Sequence, residues 1–419
     1  MATTLAVSDV PRSMTRADVR KVVENSIRQL NVGGKRVLTI VPDGTRTMPM
    51  PLMFELLEQV LAAEKSGARD YLVALGTHRA MDDSQLSIHF GQPVRKGRCG
   101  SGSAKVFNHQ WDVSETFVQI GDISADEVER LSQGLLREEV PVKINRMIFD
   151  YDQILICGPV FPHEVVGFSG GNKYLFPGIS GREMIDFTHW LGALLYSADI
   201  IGTGYTPVRA MIDRAAEMVK VPISCFALVL DGKDVSGIFF GSAKHAWQDA
   251  SVLSSQKHIT WLDRPLTKAI AVMPAMYQDM WTAAKGMYKL EPAMADGGEI
   301  IVYAPHISEF SHVHGKWIEE IGYHCRDYFL ADWKRYAHVP RGVVAHSTHL
   351  KGKGEFVNQK EKPRVRVTLA TGISEERCRR ANLGYLDPTS MRVEDWLDRE
   401  QQGIKVVPRA GEMLFRVKR

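Results

Sequence analysis

The segment Phe161–His189 places a glycine-rich turn directly after an apolar run, which limits where this part of the chain can lie in a fold. It reads FPHEVVGFSGGNKYLFPGISGREMIDFTH and follows the apolar residues Ile154–Val160. Glycine lets a backbone turn sharply and approach a ligand closely, and consecutive N–H groups in such a turn can hold an anion. The lysine and two histidines of the segment supply a nucleophilic amine and groups for metal binding or acid–base chemistry. The segment therefore indicates a covalent or metal-dependent nucleotide site.

Short β-branched runs alternate with longer amphipathic runs along the chain, a pattern typical of α/β proteins. The runs Arg36–Pro42, Tyr71–Leu75 and Ile154–Val160 predict buried strands, and each is followed by a turn rich in polar residues or glycine. Ligands of α/β folds bind at such strand ends. Because the pattern begins anew near residues 255–268, we predict two α/β domains, residues 1–258 and 266–419, with a cofactor and substrate cleft between them.

The same patterns predict one further strand, two helices and two long loops. Gly342–Ala345 predicts a strand, whereas Lys316–Tyr336 and Arg392–Gln402 predict helices. Residues 92–122 and 350–363 are rich in glycine and lysine and predict long loops.

Composition excludes several classes of protein. A net charge of +3, with no run of lysine and arginine, argues against nucleic-acid binding. No apolar run reaches the roughly 18 residues of a membrane span, and the opening sequence MATTLAVSDVPRSMT lacks the apolar core of a signal peptide. The 5 cysteines are scattered without a CxxC pair, which fits reduced thiols. We therefore expect a cytoplasmic protein that binds neither nucleic acid nor membranes.

The glycine-rich turn differs from the common nucleotide-binding loops. It lacks the GxxxxGK[ST] pattern, which disfavours a P-loop ATPase, and GFSGG does not provide the GxGxxG of a dinucleotide site. His163 and His189 are separated too widely for HExxH or HxH spacing, so a conventional zinc site would need a distant third ligand.

Polar residues also follow the other two predicted strands. Asp43 and Arg46 follow the first in the turn DGTR, and His78 follows the second in GTHR. Aspartate is common in turns for its local hydrogen bonds, whereas arginine can form a forked contact with a carboxylate or phosphate. A lone histidine more often caps a helix or fills space than acts chemically, but its place at a strand end favours a functional role.

The C-terminal part contains a lysine and a group of histidines whose roles the sequence leaves open. Lys285, in WTAAKG, is either an exposed lysine or a second cation that faces Arg46 across the predicted cleft. A histidine-rich region is interpreted mainly as surface or packing residues, and its members are His306, His312, His314, His346 and His349.

The three motifs, in this order, resemble those of the nickel-pincer-nucleotide lactate racemase family. The family's DxTRPxP turn matches Asp43–Pro49, with a threonine in place of the first proline. Its GxHRP element matches Gly76–Ala80, with alanine in place of proline. The signature HxxxGFSGGxKxxxPGI is complete over His163–Ile179, and His189 keeps the family's spacing from the lysine.

The resemblance implies a cofactor, the nickel-pincer nucleotide (pyridinium-3-thioamide-5-thiocarboxylic acid mononucleotide), linked covalently to Lys173. Two sulfurs and a ring carbon of this group hold the nickel (Ni), and His189 is the implied protein ligand. Further cofactor contacts are implied for Asp43, Thr45, Ser169, Gly170 and Gly171. The implied partners are a small 2-hydroxy acid as substrate and the proteins that make the nucleotide and load it with nickel.

The reaction implied by the resemblance is inversion at C2 of the acid by reversible hydride transfer to the pincer carbon. The substrate carboxylate binds Arg46 and Lys285. His78 or His163 removes the hydroxyl proton, a planar 2-keto acid remains, and the opposite histidine returns a proton after hydride reaches the other face. An unperturbed histidine pKa of about 6.5 suits proton transfer near neutral pH.

Two departures from the family pattern concern positions that border the substrate. Trp281 stands where the family usually has tyrosine, and Thr282 stands where it usually has glutamine. A shorter threonine leaves room for a longer acid. We therefore predict a substrate larger or more polar than lactate, such as a sugar acid, for which the reaction is a 2-epimerisation.

Two other functions are compatible with the same motifs. One is oxidation of a hydroxy acid without hydride return, which would release a keto acid and require an external acceptor. The other is a non-catalytic protein that binds or carries the pincer nucleotide. Against the second, the covalent lysine, the metal-ligating histidine, both candidate bases and both carboxylate partners are all present.

Overall fold

Parallel strands form the central sheets of this chain, so the predicted α/β class is confirmed. The computed structural model describes residues 4–7, 13–100 and 104–418. The chain divides into two units, which we name the N-terminal unit and the C-terminal unit. The N-terminal unit comprises Met1–Phe161, Ser169–Ile185 and Arg209–Lys257, and the C-terminal unit comprises Pro162–Phe168, Asp186–Val208 and His258–Arg419. The domain bounds at 258 and 266 and the cleft stay predictions.

The strands of the described chain are, in order, β1 Thr4–Val7, β2 Val37–Pro42, β3 Arg69–Ala74, β4 Val94–Arg95, β5 Arg98–Cys99, β6 Ala104–Asn108, β7 Phe117–Ile123, β8 Val140–Asn145, β9 Gln153–Pro159, β10 Pro162–His163, β11 Gly167–Phe168, β12 Ile223–Asp231, β13 Asp234–Gly241, β14 Ile259–Leu262, β15 Leu266–Val272, β16 Met294–Ala304, β17 Gly354–Val357, β18 Lys360–Pro363, β19 Arg366–Thr371, β20 Gly384–Tyr385, β21 Ile404–Val407 and β22 Leu414–Val417.

The α-helices are α1 Arg16–Arg28, α2 Met50–Ala63, α3 Asp83–Phe90, α4 Ala125–Leu131, α5 Arg182–Leu194, α6 Ser197–Ile200, α7 Pro207–Ala216, α8 Ala243–His258, α9 Met280–Ala283, α10 Lys285–Tyr288, α11 Gly315–Ile321, α12 Arg326–Ala331, α13 Trp333–Tyr336, α14 Arg341–Lys351 and α15 Glu375–Arg380. Short 3₁₀ helices span Ser114–Thr116, Arg146–Asp150, Gly171–Tyr174, Glu291–Ala293, Pro388–Ser390, Val393–Trp396 and Glu400–Gln402.

In the N-terminal unit, the described strands of the main sheet follow the order β1-β13-β12-β9-β2-β3-β6-β5-β4. The central strands β12, β9, β2, β3 and β6 are parallel, and antiparallel strands complete both edges. All residues of β2 and β9 are buried, which explains why their sequences are apolar without alternation. Because β2, β3 and β9 are parallel neighbours, the turns that follow them lie at the same edge of the sheet.

In the C-terminal unit, parallel strands follow the order β20-β19-β16-β15-β21. Smaller pairs are formed by β10 with β11, β14 with β22 and β17 with β18. Most residues of helix α14 are buried. Its buried residues include polar ones as well as apolar ones, so polar and apolar positions do not separate into an exposed and a buried face as they do on a surface helix.

The predicted strands at the site are confirmed: β2, β3 and β9 match the three predicted runs within two residues at each end. Other assignments were wrong. Gly342–Ala345 belongs to helix α14, and Arg392–Gln402 contains two short 3₁₀ helices. The predicted helix Lys316–Tyr336 is three short helices. The predicted loop 92–122 contains strands β4 to β6 and most of β7, and 350–363 contains a hairpin.

No helix in the described part of the chain combines the length and apolar character needed to cross a membrane. All five cysteines are free and buried.

Gly158 on β9 provides a test of this core. A Cβ atom added there would lie 1.9 Å from the Tyr174 hydroxyl, and both residues are buried. We expect Gly158→Ala to reduce the free energy of unfolding by about 2 kcal/mol or more, because the tyrosine ring must leave its packed position. The measurement is urea-induced unfolding followed by circular dichroism.

Gly204→Ala is the matched control, because a Cβ atom added there meets no heavy atom of the described chain within 4 Å. Its free energy of unfolding is expected to stay within about 0.5 kcal/mol of the wild-type value. Equal stability of the two variants would contradict the packing described for β9.

Candidate active site

The turn after β2 is built by hydrogen bonds to a buried carboxylate. Asp43 Oδ1 accepts hydrogen bonds from the backbone N–H of Thr45 at 3.0 Å and from its hydroxyl at 2.6 Å. Arg46 Nη1 donates to Thr45 Oγ1 at 2.8 Å, and its guanidinium lies 5.7 Å from the centre of the Phe161 ring. The predicted turn is therefore present, and it holds the arginine beside the carboxylate.

The second carboxylate oxygen of Asp43 binds the histidine that follows the next strand. His78 Nδ1 lies 2.5 Å from Asp43 Oδ2, and Trp111 Nε1 donates to the His78 carbonyl at 3.1 Å. Burial alone would raise the pKa of Asp43, but the charge and hydrogen bond of His78, together with Arg46 and Thr45, hold it well below its usual value. A carboxylate can only accept, so Nδ1 carries the proton and Nε2 is the basic nitrogen.

The glycine-rich turn uses much of its hydrogen-bonding capacity within the protein. The Ser169 hydroxyl donates to the Pro159 carbonyl at 3.2 Å, and the Ser169 N–H donates to the Phe161 carbonyl at 2.8 Å. The Ser169 and Gly171 contacts to a cofactor stay predictions, and a phosphate held here would use other donors of the turn.

A buried arginine that the sequence analysis missed supports this turn. Gly170 and Gly171 both have positive φ, at 86° and 60°, and an added Cβ atom would lie 2.5 Å from Val160 or 2.7 Å from Trp247. Arg209 Nη1 donates to the Gly170 carbonyl at 3.0 Å, and its guanidinium lies 4.1 Å from the centre of the Trp247 ring. Arg209 is distant in sequence and lies in no recognisable motif, so only the fold identifies it.

The lysine of the segment lies on a short helix that the surrounding backbone holds in place. Lys173 is half-buried in the 3₁₀ helix Gly171–Tyr174. Its carbonyl accepts from the Gly178 N–H at 3.1 Å, and the Gly178 carbonyl accepts from the Gly76 N–H at 3.0 Å. The lysine segment and the turn that carries His78 are therefore joined through the backbone.

In the C-terminal unit, His163 lies on the short hairpin of β10 and β11, where it pairs with Gly167. Its side chain is 4% exposed. The Val165 N–H donates to His163 Nδ1 at 3.2 Å, and a carboxylate oxygen of Glu164 lies 3.3 Å from the same nitrogen. The donated N–H requires a lone pair on Nδ1, so the neutral ring carries its proton on Nε2.

His189, the predicted nickel ligand, lies on helix α5. The next residue, Trp190, stacks on Trp333 with ring centres 4.6 Å apart and an interplanar angle of 25°. This stacking lies within the C-terminal unit, to which α5 belongs from Asp186 onward. Among the described residues, no group of three or more His, Cys, Asp or Glu is arranged to hold a metal ion.

The predicted substrate residues lie around the two short helices α9 and α10. Asp279 caps α9 by accepting from the Thr282 N–H at 3.1 Å, and the Thr282 hydroxyl lies 2.9 Å from the same carboxylate oxygen. Lys285 is 5% exposed, and its Nζ lies 4.6 Å from the centre of the Tyr277 ring. Trp281 is half-buried. The Thr282 hydroxyl is therefore engaged by the residue that caps the helix. Because Lys285 is buried, its interpretation as an exposed lysine was wrong.

Three members of the histidine-rich region form a buried cluster with Trp281. The ring centres of His314 and His346 lie 4.4 Å and 4.0 Å from that of Trp281. Ser197 Oγ lies 2.6 Å from His349 Nδ1. Burial lowers the pKa of His346 well below its usual value, aided by the charges of neighbouring histidines, and lowers that of His349 to about 4. By contrast, His306 and His312 are exposed.

The structure thus groups the predicted site residues by unit. Those of the N-terminal unit are Asp43, Thr45, Arg46, His78, Ser169, Gly170, Gly171 and Lys173, and those of the C-terminal unit are His163, His189, Trp281, Thr282 and Lys285. Direct contacts join Asp43, Thr45, Arg46 and His78. The predicted functional roles of all of these residues stay predictions.

Comparisons with known proteins identify relatives. Residues 4–199 match the family model of the lactate racemase N-terminal domain. The crystal structure of a protein from Thermotoga maritima is 33% identical in sequence, with a TM-score of 0.89, and the match covers 99% of this chain and 100% of that chain.

Lactate racemases themselves are more distant. That of Thermoanaerobacterium thermosaccharolyticum is 23% identical over 303 residues, and that of Lactiplantibacillus plantarum is 23% identical over 296 residues. Each match covers 68% of this chain and 65% of the relative's length. The structure of the T. thermosaccharolyticum lactate racemase apoprotein has a TM-score of 0.71 at 19% identity, covers 96% of this chain and 93% of that chain, and shares the fold.

His349 should make the stability of the protein depend on pH. Burial is the main cause of its lowered pKa, the negative charge of Glu164 opposes the shift, and His189 adds to it. The unfolded chain therefore takes up a proton below pH of about 6.5, whereas the folded protein does so only near 4. Stability is lost as the pH falls through this window. Between pH 7 and pH 5 the loss due to His349 is about 2 kcal/mol.

The measurement is urea-induced unfolding of the wild type and His349→Gln at both pH values, and the variant should lose about 2 kcal/mol less between them. His245→Gln is the control, because His245 also contacts a serine hydroxyl, that of Ser242 at 2.8 Å, but is exposed. It should keep the wild-type pH dependence. An unchanged pH dependence in His349→Gln would contradict this account.

Proposed function

Because the chain belongs to the lactate racemase family, we propose that it is an isomerase that inverts C2 of a 2-hydroxy acid. The proposed reaction removes hydride from C2 to leave a planar 2-keto acid and returns the hydride to the opposite face. The observation that carries this proposal is the pairing of His78 with Asp43 beside Arg46. It provides an oriented base next to a cation, as removal of a hydroxyl proton from an anionic substrate requires.

His78 is the proposed base that takes the C2 hydroxyl proton. The Asp43 carboxylate orients the ring, keeps the proton on Nδ1, and stabilises the positive charge that arises when Nε2 takes a second proton. The side chain of His78 is 23% exposed, so a substrate can reach it. His163 is the proposed acid for the opposite direction in its doubly protonated form, whose charge the Glu164 carboxylate, 3.3 Å from Nδ1, would stabilise while Nε2 gives up its proton.

The proposed cofactor is the nickel-pincer nucleotide, which would supply a site that accepts the hydride from C2 and gives it back. The residues present fit this group in two respects. Lys173 is a half-buried residue of the short helix that directly follows the glycine-rich turn. The preceding glycines Gly170 and Gly171 have positive φ, a conformation that would be strained in residues with a side chain. Lys173 is the proposed covalent attachment point and His189 the proposed nickel ligand.

The substrate carboxylate is proposed to bind the two cations Arg46 and Lys285. A buried lysine such as Lys285 is costly unless an anion or an aromatic face stabilises its charge, and the Tyr277 ring supplies the latter. Trp281 and Thr282 are proposed to border a substrate larger or more polar than lactate, such as a sugar acid.

The remaining features of the proposal concern the cell. The protein is proposed to act in the cytoplasm, where thiols stay reduced, and its five cysteines are free. It would depend on the proteins that make the pincer nucleotide and insert nickel.

Attachment of the cofactor to Lys173 can be tested by intact mass. The protein is produced in cells that make the pincer nucleotide and receive nickel, together with Lys173→Ala. We expect a covalent adduct on the wild type and none on the variant, because only the amine can form the bond. Lys233→Ala, at an exposed lysine of the same unit, is the control and should carry the adduct.

The same preparations are assayed with single enantiomers of 2-hydroxy acids by chiral chromatography. Inversion by the wild type and its loss in Lys173→Ala support the isomerase. An adduct without inversion of any acid would favour the carrier function, and release of a keto acid with an external acceptor would favour oxidation.

Asp43→Asn tests the oriented base. An amide that keeps its contact with Thr45 turns its N–H₂ group towards His78, so the ring proton moves to Nε2 and the base is lost. We expect kcat to fall about 100-fold or more with little change in KM. Asp152→Asn, which alters an exposed carboxylate bound to Arg36, should keep wild-type kinetics.

The intact mass of Asp43→Asn separates two roles of Asp43. A normal adduct with low kcat supports the orienting role. Loss of the adduct would instead show that Asp43 serves mainly to hold the cofactor, as the family resemblance implies.

A further inference from the structure

The buried histidine cluster of the C-terminal unit contains polar atoms that the proposed mechanism does not use. His346 is 7% exposed and its ring stacks on Trp281 at an interplanar angle of 24°. Tyr323 also approaches His346, and the centres of these two rings lie 5.8 Å apart. His349 follows His346 by three residues on helix α14, so both side chains project from the same face.

Several polar atoms of this cluster are buried without a hydrogen bond. Among the described residues, no partner lies within hydrogen-bonding distance of His346 Nε2, His349 Nε2 or Tyr323 Oη. All three side chains are more than nine-tenths buried. Native proteins rarely leave buried polar atoms unsatisfied, and those that occur are often found at functional sites. The cluster therefore has hydrogen-bonding capacity that a ligand can use.

The position of His346 connects this capacity with the proposed substrate site. It contacts Trp281, with ring centres 4.0 Å apart. Trp281 in turn precedes Lys285, the proposed carboxylate partner, by one helical turn. A substrate that reaches Trp281 and Lys285 can therefore present its distal carbons to His346.

The chemistry of the cluster favours a hydroxyl group over a second carboxylate. His346 is 7% exposed and packs against the Trp281 and Tyr323 rings, surroundings that disfavour a charged imidazole and favour the neutral ring. A neutral imidazole donates one hydrogen bond or accepts one, which matches an alcohol. The Thr282 hydroxyl, the other candidate for such a contact, already binds Asp279.

Resting on the proposed isomerase function, we propose that His346 determines substrate specificity by hydrogen-bonding, through Nε2, a hydroxyl group beyond C2. The substrate class that this contact selects is the aldonates, which carry a hydroxyl group on each carbon of the chain beyond C2. Simple 2-hydroxy acids of equal length offer no partner to this nitrogen, and their binding would leave it unsatisfied.

Binding to the cofactor-free protein tests this inference without catalysis. Isothermal titration calorimetry compares gluconate and mannonate, which differ only at C2, with 2-hydroxyhexanoate, which has the same chain length. We expect at least one aldonate to bind about tenfold or more tightly than 2-hydroxyhexanoate. In His346→Phe, which retains the aromatic stack on Trp281, this preference should disappear through weaker aldonate binding.

Two further variants complete the design. His346→Asn retains a hydrogen-bonding group and should keep part of the preference, which separates loss of the contact from damage to the fold. His338→Phe is the control, because His338 lies on the surface beside Glu320, and it should bind both acids as the wild type does. Thermal unfolding of each variant confirms that it is folded.

A preference that survives in His346→Phe would overturn the inference, as would a wild type that fails to prefer aldonates. Neither result touches the proposed isomerase, which is judged separately by inversion of any 2-hydroxy acid by the nickel-loaded wild type. Conversely, His346→Phe could lose aldonate binding while the nickel-loaded wild type inverts no 2-hydroxy acid. That result would support His346 as a binding residue and contradict the proposed isomerase.

Discussion

The contact between Asp43 and His78 determines how the candidate site of the N-terminal unit is assembled. Strands β2 and β3 are parallel, and their last residues pair with one another, Pro42 with Ala74. The sheet therefore brings the two following turns level, and one buried carboxylate can satisfy both. Burial by itself destabilises the charge on Asp43, so the carboxylate requires these partners to stay ionised. Contacts with this carboxylate and with Thr45 therefore hold His78, Arg46 and the turn together as one group.

This part of the structure was largely predictable from the sequence, because local patterns specify it. An uninterrupted apolar run bounded by a polar turn indicates a buried parallel strand, and such strands place their following turns at one edge. The support beneath the glycine-rich turn was not predictable. Arg209 reaches the Gly170 carbonyl from helix α7, and Tyr174 fills the space that Gly158 leaves. Contacts between segments so far apart leave no periodic signal in a single sequence.

Helix α14 shows a second limit of sequence patterns. The run GVVAHSTHL is rich in β-branched residues, which favours a strand assignment over such a short length. In the fold it is a helix that begins after Pro340 and ends before Gly352, and most of its faces are buried. Because its buried positions include polar residues such as His346, Thr348 and Lys351, the pattern of apolar residues does not mark out its buried face. Its histidines were interpreted as surface or packing residues for the same reason.

The two units place histidine in opposite environments, and this difference separates the proposed roles. His78 is half-buried, and its Nδ1 is bound to a carboxylate, which orients the ring and leaves Nε2 as the nitrogen that can accept a proton. His346 lies between aromatic rings with other histidines nearby, which disfavours its charged form. A ring that stays neutral is a poor proton carrier but a constant hydrogen-bonding partner. Environment, rather than residue type, is therefore the basis on which we propose proton transfer for one histidine and recognition of a neutral hydroxyl for the other.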